Sequence, residues 1–136
     1  MILADTGALY ALVDASDSWH PQVVEWWPTA SSPIVVPVTV LPEATYLLHH
    51  RIGLEAEQAF VEAVASGEFA IEPLEAEDMT RAAEIMREYS DLEIGFVDAT
   101  IVAIAERIGV EEIATTDRRH FGTIRPRHRR SFKLLP

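Results

Sequence analysis

The fold of this chain is decided by its first seven residues, Met1-Ile2-Leu3-Ala4-Asp5-Thr6-Gly7. A short apolar run that ends in a turn signal is typical of a buried strand. Because the run does not alternate between apolar and polar residues, both faces of the strand are expected to be covered, as in a parallel sheet. Asp5 then lies at the carboxyl end of the strand, where open α/β sheets place their ligand crevice. Thr6 is predicted to cap the following helix, and the alternative role for Asp5 is that of a turn or cap residue.

The rest of the chain alternates between short apolar segments typical of strands and longer segments with helical periodicity. Further strands are predicted at residues 34–36, 69–71, 112–115 and 131–135, the last at a sheet edge, and helices at residues 8–13, 19–27, 39–51, 54–65, 76–89 and 96–108. This order predicts an α/β fold with a mostly parallel, five-stranded sheet, in a single domain over residues 1–136. In the helix at 76–89, the side chains predicted to face the core are Met79, Ala82, Ala83, Ile85 and Met86.

The composition restricts the class of protein. The chain has no cysteine, which excludes disulfides, zinc–thiolate sites and cysteine nucleophiles and is typical of a reducing cytoplasm. No apolar run approaches the length of a membrane span, and no basic-then-apolar leader precedes the first predicted strand. A cytoplasmic protein without a membrane partner is therefore expected.

The charges are distributed unevenly along the chain. Residues 1–117 carry all 22 acidic side chains and 4 basic ones, whereas residues 118–136 carry 7 basic side chains and no acid. The net charge of −11 argues against a nucleic-acid partner, but a basic cluster beside an acidic body is typical of an edge that contacts phosphate. The alternative is a solvated terminal strand whose charge balances the acidic body.

Two predicted strands lead into an aspartate. Asp5 follows the first strand, and Asp117 follows the apolar run at residues 113–115. Because the carboxyl ends of parallel strands meet at one edge of a sheet, the two carboxylates are expected to lie at the same edge. The alternative for Asp117 is a helix cap for residues 118–121.

A third acid, Asp98, lies in the first turn of the most apolar helix. By helical spacing it heads a stripe that faces the core, formed by Ile101, Val102 and Ala105. A buried carboxylate needs a cation, a hydrogen-bond donor or a proton. The alternative is a first-turn acid stabilised by the helix dipole by roughly 0.3–1 kcal/mol.

A fourth acid, Glu43, lies in the first turn of the helix at residues 39–51, directly after Pro42. The residues that follow on its helix face, at three, four and seven positions, are Tyr46, Leu47 and His50. The alternative for Glu43 is a surface glutamate favoured by the helix dipole.

Four acids gathered at one edge predict a bound cation. Clustered carboxylates repel one another and raise each other's pKa unless a cation neutralises them. Oxygen ligands suit a hard ion such as Mg²⁺ or Mn²⁺. The five histidines form no H-x-x-x-H pair, so no zinc-type ligand set competes with this interpretation.

These residues occur in four motifs through which the chain resembles the PIN-domain ribonucleases, and most closely the VapC-type toxins. The resemblance covers essentially the whole chain, and the last motif, with its T-x-D-x-x-H-F pattern, is the most specific. The motifs are Asp5-Thr6-Gly7, Leu41-Pro42-Glu43, Phe96-Val97-Asp98-Ala99 and Ala114-Thr115-Thr116-Asp117-Arg118-Arg119-His120-Phe121.

The resemblance implies a three-layer α/β/α fold and a metal-dependent endoribonuclease site. In this family the site is built from four acids, here Asp5, Glu43, Asp98 and Asp117. The metal ligands would be Asp5, Asp98 and Asp117, with Mg²⁺ or Mn²⁺ as cofactor, and Glu43 would be a ligand or would orient the attacking water. A hydroxyl near the first or last acid, here Thr6 or Thr115, often supports such a site.

The resemblance also implies partners. Toxins of this kind usually form homodimers, cleave RNA and are blocked by an antitoxin protein. Arg118 and Arg119, next to the last acid, are the candidate residues for holding RNA phosphates. The alternative for both arginines is a salt bridge to the acidic body, and His120 is interpreted as a turn residue.

Two other functions remain open at this stage. A receiver-type phosphoacceptor domain also places acids at strand ends, but it needs a lysine at the end of the last strand. The only lysine here, Lys133, lies inside the predicted edge strand. A non-catalytic interaction module with the same fold is the other alternative, and the presence of all four acids argues against it.

Overall fold

The computed structural model describes residues 1–136 and contains one sheet of five short strands. These are β1 (Ile2–Ala4), β2 (Ile34–Pro37), β3 (Ala70–Glu72), β4 (Glu112–Ala114) and β5 (Lys133–Leu135). Their order in the sheet is β3-β2-β1-β4-β5, and every neighbouring pair is parallel. The predicted five-stranded parallel sheet is confirmed, with β1 at its centre and β5 at one edge.

Seven helices flank this sheet. They are α1 (Thr6–Val13), α2 (His20–Trp26), α3 (Val40–Arg51), α4 (Leu54–Ala65), α5 (Ala76–Glu88), α6 (Phe96–Ile108) and α7 (Arg118–Thr123). Helix α1 contacts α2 and α3, α3 contacts α4, and α5 packs along α6. The predicted α/β class is confirmed. None of the seven helices combines the length and the hydropathy that a membrane-spanning helix requires.

The apolar core explains why β1 does not alternate in sequence. Ile2, Leu3 and Ala4 are each at most 1% exposed, so both faces of this central strand are covered. On one helix, α6, an unbroken run of buried residues extends from Ala99 to Ala105. Burying each large apolar side chain contributes about 1.5–3 kcal/mol, so the buried residues of β1 and α6 add substantially to the stability of the core.

The prediction for the inner face of α5 is partly wrong. Ala82 and Ile85 are buried, but Met79, Ala83 and Met86 are exposed. The physical reason is Asp78, which is 1% exposed and takes an inward position. Its carboxylate accepts the Glu75 backbone N–H at 2.9 Å and pairs with the Arg107 side chain at 3.0 Å. This ion pair sets the rotation of α5, and the methionines turn outward.

Candidate active site at the carboxyl edge of the sheet

The order of the strands reverses beside β1. The chain builds β2 and β3 on one side of β1 and β4 and β5 on the other. Open α/β sheets bind ligands at such a switch point, outside the carboxyl ends of the strands. Asp5 directly follows β1, and Asp117 lies three residues beyond the end of β4. Each of these acids therefore follows one of the two strands that flank the switch point.

Asp5 is buried and firmly oriented. It caps α1, since its Oδ1 accepts the Ala8 backbone N–H at 2.8 Å, while its Oδ2 accepts the Thr115 hydroxyl. The prediction that Thr6 caps α1 is therefore wrong, because the helix begins at Thr6 and the cap position before it is occupied by Asp5. Burial raises the pKa of Asp5 to about 7, and the charges of Asp98 and Asp117 add to the rise against the two hydrogen bonds.

Two hydroxyls lie within this buried region. Thr115 is fully buried and links two acids, because its Oγ1 donates to Asp5 and accepts the Asp117 backbone N–H at 2.8 Å. Thr6 is 6% exposed, and its Oγ1 has no hydrogen-bond partner. An unpartnered buried hydroxyl is costly, so Thr6 has donor and acceptor capacity left for a ligand or an ordered water.

Asp98, Asp117 and His120 form a compact cluster. Their ligand atoms all lie within 4.8 Å of one another. Nδ1 of His120 lies 3.1 Å from Oδ2 of Asp98 and 2.9 Å from Oδ2 of Asp117. Burial raises the pKa of Asp98, the hydrogen bond from His120 opposes the rise, and the charges of Asp117 and Glu43 add to it. The structure therefore brings Asp5, Asp98 and Asp117 into one electrostatic group.

Glu43 lies at the exposed side of this group. It is in the first turn of α3 and close enough to raise the pKa of Asp98 by its charge. The core face of α3 consists of Val40, Ala44 and Leu48. The face that Glu43 heads instead points outward, and its Tyr46 is 59% exposed.

Gly7 allows the close approach of the two strand ends. A Cβ atom at this position would lie 2.3 Å from Oγ1 of Thr116, well inside van der Waals contact. A larger residue at position 7 would therefore force the Thr116 side chain to move away from the start of α1.

His120 is a site residue that the sequence interpretation missed. Its backbone N–H donates to Oδ1 of Asp117 at 2.9 Å, as expected of a turn residue beside a helix cap. Its ring also contacts two acids, which the turn interpretation does not include. The signal in the sequence is its spacing of three from Asp117, since residues at i and i+3 in a helical turn face each other.

The basic segment at residues 118–136 is divided in its contacts. Arg127 pairs with Glu84 at 3.0 Å, and Lys133 pairs with Glu112 at 2.7 Å, as the charge-balancing alternative expects. Arg129 likewise contacts Glu111. Arg118 packs over the Trp19 ring, with its Cζ 5.3 Å from the centroid. Within residues 118–136, four arginines have no acidic side chain within salt-bridge distance, namely Arg118, Arg119, Arg125 and Arg130.

The donor set at this edge fits a divalent cation. The ligand atoms that lie within 4.8 Å of one another belong to Asp98, Asp117 and His120. Asp5 is not in this compact cluster, but its charge repels those of Asp98 and Asp117, and a cation would relieve that repulsion. Oxygen ligands favour Mg²⁺ or Mn²⁺.

Comparison with known proteins identifies the family. The sequence profile of the PIN-domain family matches residues 2–125, which is most of the chain. This chain belongs to the PIN-domain family. The resemblance to PIN domains and VapC toxins seen in the sequence motifs is thereby confirmed.

Its relatives include VapC ribonucleases. Over 135 residues it is 35% identical to "Ribonuclease VapC26" of Mycobacterium tuberculosis, covering 99% of this chain and all of that protein. The crystal structure of VapC20 of M. tuberculosis, a toxin that cleaves the sarcin–ricin loop, superposes with a TM-score of 0.82 at 26% identity, covering 88% of this chain and 92% of that one. VapBC2 of Rickettsia felis, bound to promoter DNA, superposes with a TM-score of 0.72 at 17% identity over the full length of both chains, which shows the shared fold alone.

Proposed function

We propose that this PIN-domain protein is a metal-dependent endoribonuclease and the toxin of a type II toxin–antitoxin pair. The observation that carries the proposal is the group of carboxylates at the switch point, with Asp5 and Asp98 both raised in pKa by burial. Titratable groups perturbed in this way are typical of active sites. The ribonuclease names of relatives that align over nearly the whole chain support the reaction class.

The catalytic residues of the proposal are Asp5, Glu43, Asp98 and Asp117, with Asp5, Asp98 and Asp117 as ligands of Mg²⁺ or Mn²⁺. When bound, the ion supplies a water of lowered pKa and neutralises charge on the phosphate oxygens. Thr115 holds the Asp5 side chain and the Asp117 backbone in fixed positions. Thr6 provides a second hydroxyl beside Asp5.

The exposed Glu43 orients the attacking water on the open side of the group, where substrate enters. Water attacks the phosphorus in line, and the bond from phosphorus to the 3′ oxygen breaks. The proton of the water passes to the carboxylates, and the leaving oxygen takes up a proton from solvent. The products carry a 5′-phosphate on one fragment and a 3′-hydroxyl on the other.

The proposal is tested with the purified chain and a 5′-labelled RNA. VapC20 of M. tuberculosis, which is 32% identical to this chain over 119 residues, is a 23S rRNA-specific endonuclease, so 23S rRNA is the first substrate to use. Cleavage is expected with Mg²⁺ or Mn²⁺ and complete loss of cleavage with EDTA, and Mn²⁺ binding is followed separately by calorimetry without RNA. Cleavage that persists in EDTA contradicts the metal site, and metal binding without cleavage of any RNA favours the non-catalytic module.

Arg119 is proposed to hold a phosphate of the RNA, because it is exposed, next to Asp117 and without an acidic partner. Replacing it with glutamine is expected to weaken binding to all RNA sequences alike and to lower the salt slope by about 0.7–1. The measurement is fluorescence anisotropy in EDTA, which keeps the RNA intact, over a series of salt concentrations.

The matched control for Arg119→Gln is Arg129→Gln, because Arg129 is also exposed but is paired with Glu111. This control should leave the salt slope unchanged. Arg118 is proposed as a second phosphate contact, but its packing on Trp19 makes its replacement harder to interpret. An unchanged slope in Arg119→Gln would remove this residue from the RNA interface.

The proposed partners are an antitoxin protein and a second copy of the chain. Solved toxin–antitoxin complexes share this fold, which supports an antitoxin as the regulatory partner. A companion protein encoded next to this chain should suppress both its toxicity and its RNA cleavage. A homodimer is proposed from the family resemblance, and its measurement is the molar mass in solution.

A further inference from the structure

A niche beside the acidic group has no role in the chemistry described so far. It has a volume of about 490 Å³ and lies between the first turns of α3 and α6. Its lining residues are Thr39, Pro42, Glu43, Tyr46, Phe96 and Val97. Because Glu43 forms part of its wall, the niche is continuous with the proposed active site.

Two aromatic side chains are exposed at this niche. Tyr46 is 59% exposed and Phe96 is 45% exposed, although both are large enough to be favourable in a core. Each lies within one helical turn of an acid, since Tyr46 follows Glu43 by three residues and Phe96 precedes Asp98 by two. Tyr46 and Glu43, three residues apart, therefore share one face of α3, and both line the niche.

The local structure keeps the niche rigid. Oγ1 of Thr39 lies 2.7 Å from Oγ1 of Thr100, which joins the start of α3 to α6 beneath it. The ring of Tyr46 packs against that of His50, with centroids 4.1 Å apart. A preorganised aromatic surface lowers the entropic cost of binding a flat ligand.

We propose that this niche receives an unpaired nucleobase of the RNA next to the scissile phosphate, stacked on Tyr46 or Phe96. The inference rests on the proposed function, whose substrate it makes more specific. Sequence-specific RNA recognition uses splayed-out bases stacked on aromatic side chains, and every base has a face suited to this. The niche thus favours RNA that is single-stranded at the cleavage site.

The negative charge of Glu43 in the wall of the niche disfavours an RNA phosphate as its occupant. Its one charged lining residue is Glu43, and it contains no lysine, arginine or histidine. A neutral base is compatible with this lining, and its exocyclic amine would find an acceptor in the Glu43 carboxylate. In this proposal the RNA phosphates contact the cation and Arg119 instead.

The test uses a short RNA cut at a mapped bond and a matched series with a single abasic ribose at each flanking position. For the wild-type protein, kcat/KM is expected to fall about 5- to 100-fold with the abasic ribose at one position only. Tyr46→Ala or Phe96→Ala should lose a similar factor on intact RNA and nothing further on that abasic RNA. Tyr46→Phe should retain wild-type cleavage, and Met79→Ala, which truncates an exposed side chain on α5, serves as the control.

Three results would overturn the inference. In the first, the alanine variants cut intact and abasic RNA as the wild type does. In the second, they lose the same factor on every RNA of the series, so that the rings contact something other than a base. In the third, they lose binding of a partner protein with RNA cleavage unchanged, so that the niche holds a peptide. In all three the wild type still cleaves with metal, whereas a wild type that cleaves no RNA overturns the proposed function as well.

Discussion

Replacing Asp98 with asparagine is expected to lower RNA cleavage by at least about 100-fold and to weaken Mn²⁺ binding. The substitution removes one negative charge from a group that the proposed cation must neutralise. Changes to residues that only support a metal ligand already cost about 10–100-fold, so the loss of a direct ligand should cost more. The measurements are single-turnover cleavage of labelled RNA and calorimetric titration with Mn²⁺.

Asp98→Asn is informative because the fold should tolerate it. The Asp98 side chain is 26% exposed, and its Oδ2 is hydrogen-bonded to Nδ1 of His120. The oxygen of an asparagine can accept the same hydrogen bond from Nδ1–H. The control is Asp91→Asn, the same chemical change at an exposed acid in the short turn before α6. A variant that folds normally, retains Mn²⁺ affinity and cleaves RNA at the wild-type rate would rule out Asp98 as a ligand.

The placement of the acids follows from features that are local in sequence. An apolar run that ends in aspartate predicted where Asp5 and Asp117 lie, because strand direction alone determines which end of a parallel strand reaches the crevice. Helical spacing put Asp98 at the end of the buried α6 face, and Ile101, Val102 and Ala105 are indeed fully buried. Their catalytic roles remain predictions.

The features that could not be predicted depend on contacts between distant residues. Thr115 and Asp5 are 110 residues apart, and only the tertiary structure shows that one hydroxyl orients two acids. The rotation of α5 follows from the pairing of Asp78 with Arg107, 29 residues away, which periodicity does not detect. The sequence also could not show which basic residues form salt bridges. In the structure Arg127 pairs with Glu84, whereas Arg119 has no acidic partner.

The contribution of Asp5 to the stability of the metal-free protein is expected to fall as the pH rises from about 4 to 7. An acid whose pKa is raised in the folded state, here to about 7 from 3.8, binds more protons when folded than when unfolded in this interval. The free energy of unfolding therefore falls with rising pH until the folded-state pKa is passed. The full loss for this shift is about 4 kcal/mol.

Comparing wild type with Asp5→Asn isolates this effect. Asparagine has no charge to bury, its oxygen still accepts from Ala8, and its amide donates to Thr115 after the hydroxyl rotates. In urea unfolding with EDTA, the wild type should become progressively less stable than Asp5→Asn between pH 4 and 7. Asp14→Asn is a control, because hydrogen bonds from Tyr10 and Ser16 lower the pKa of Asp14 below 3.8. The contribution of Asp14 to stability should therefore be constant between pH 4 and 7 and be lost only at lower pH.

Adding the cation should reduce the difference in stability between wild type and Asp5→Asn at neutral pH. An ion that binds only the folded wild type at 100 times its dissociation constant stabilises it by about 2.7 kcal/mol, and Asp5→Asn should gain much less. The variant would thus be the more stable protein in EDTA and the less responsive one in Mn²⁺. Equal pH profiles for wild type and Asp5→Asn would mean that the Asp5 carboxylate is not buried at an energetic cost, and the argument that a cation offsets that cost would fail.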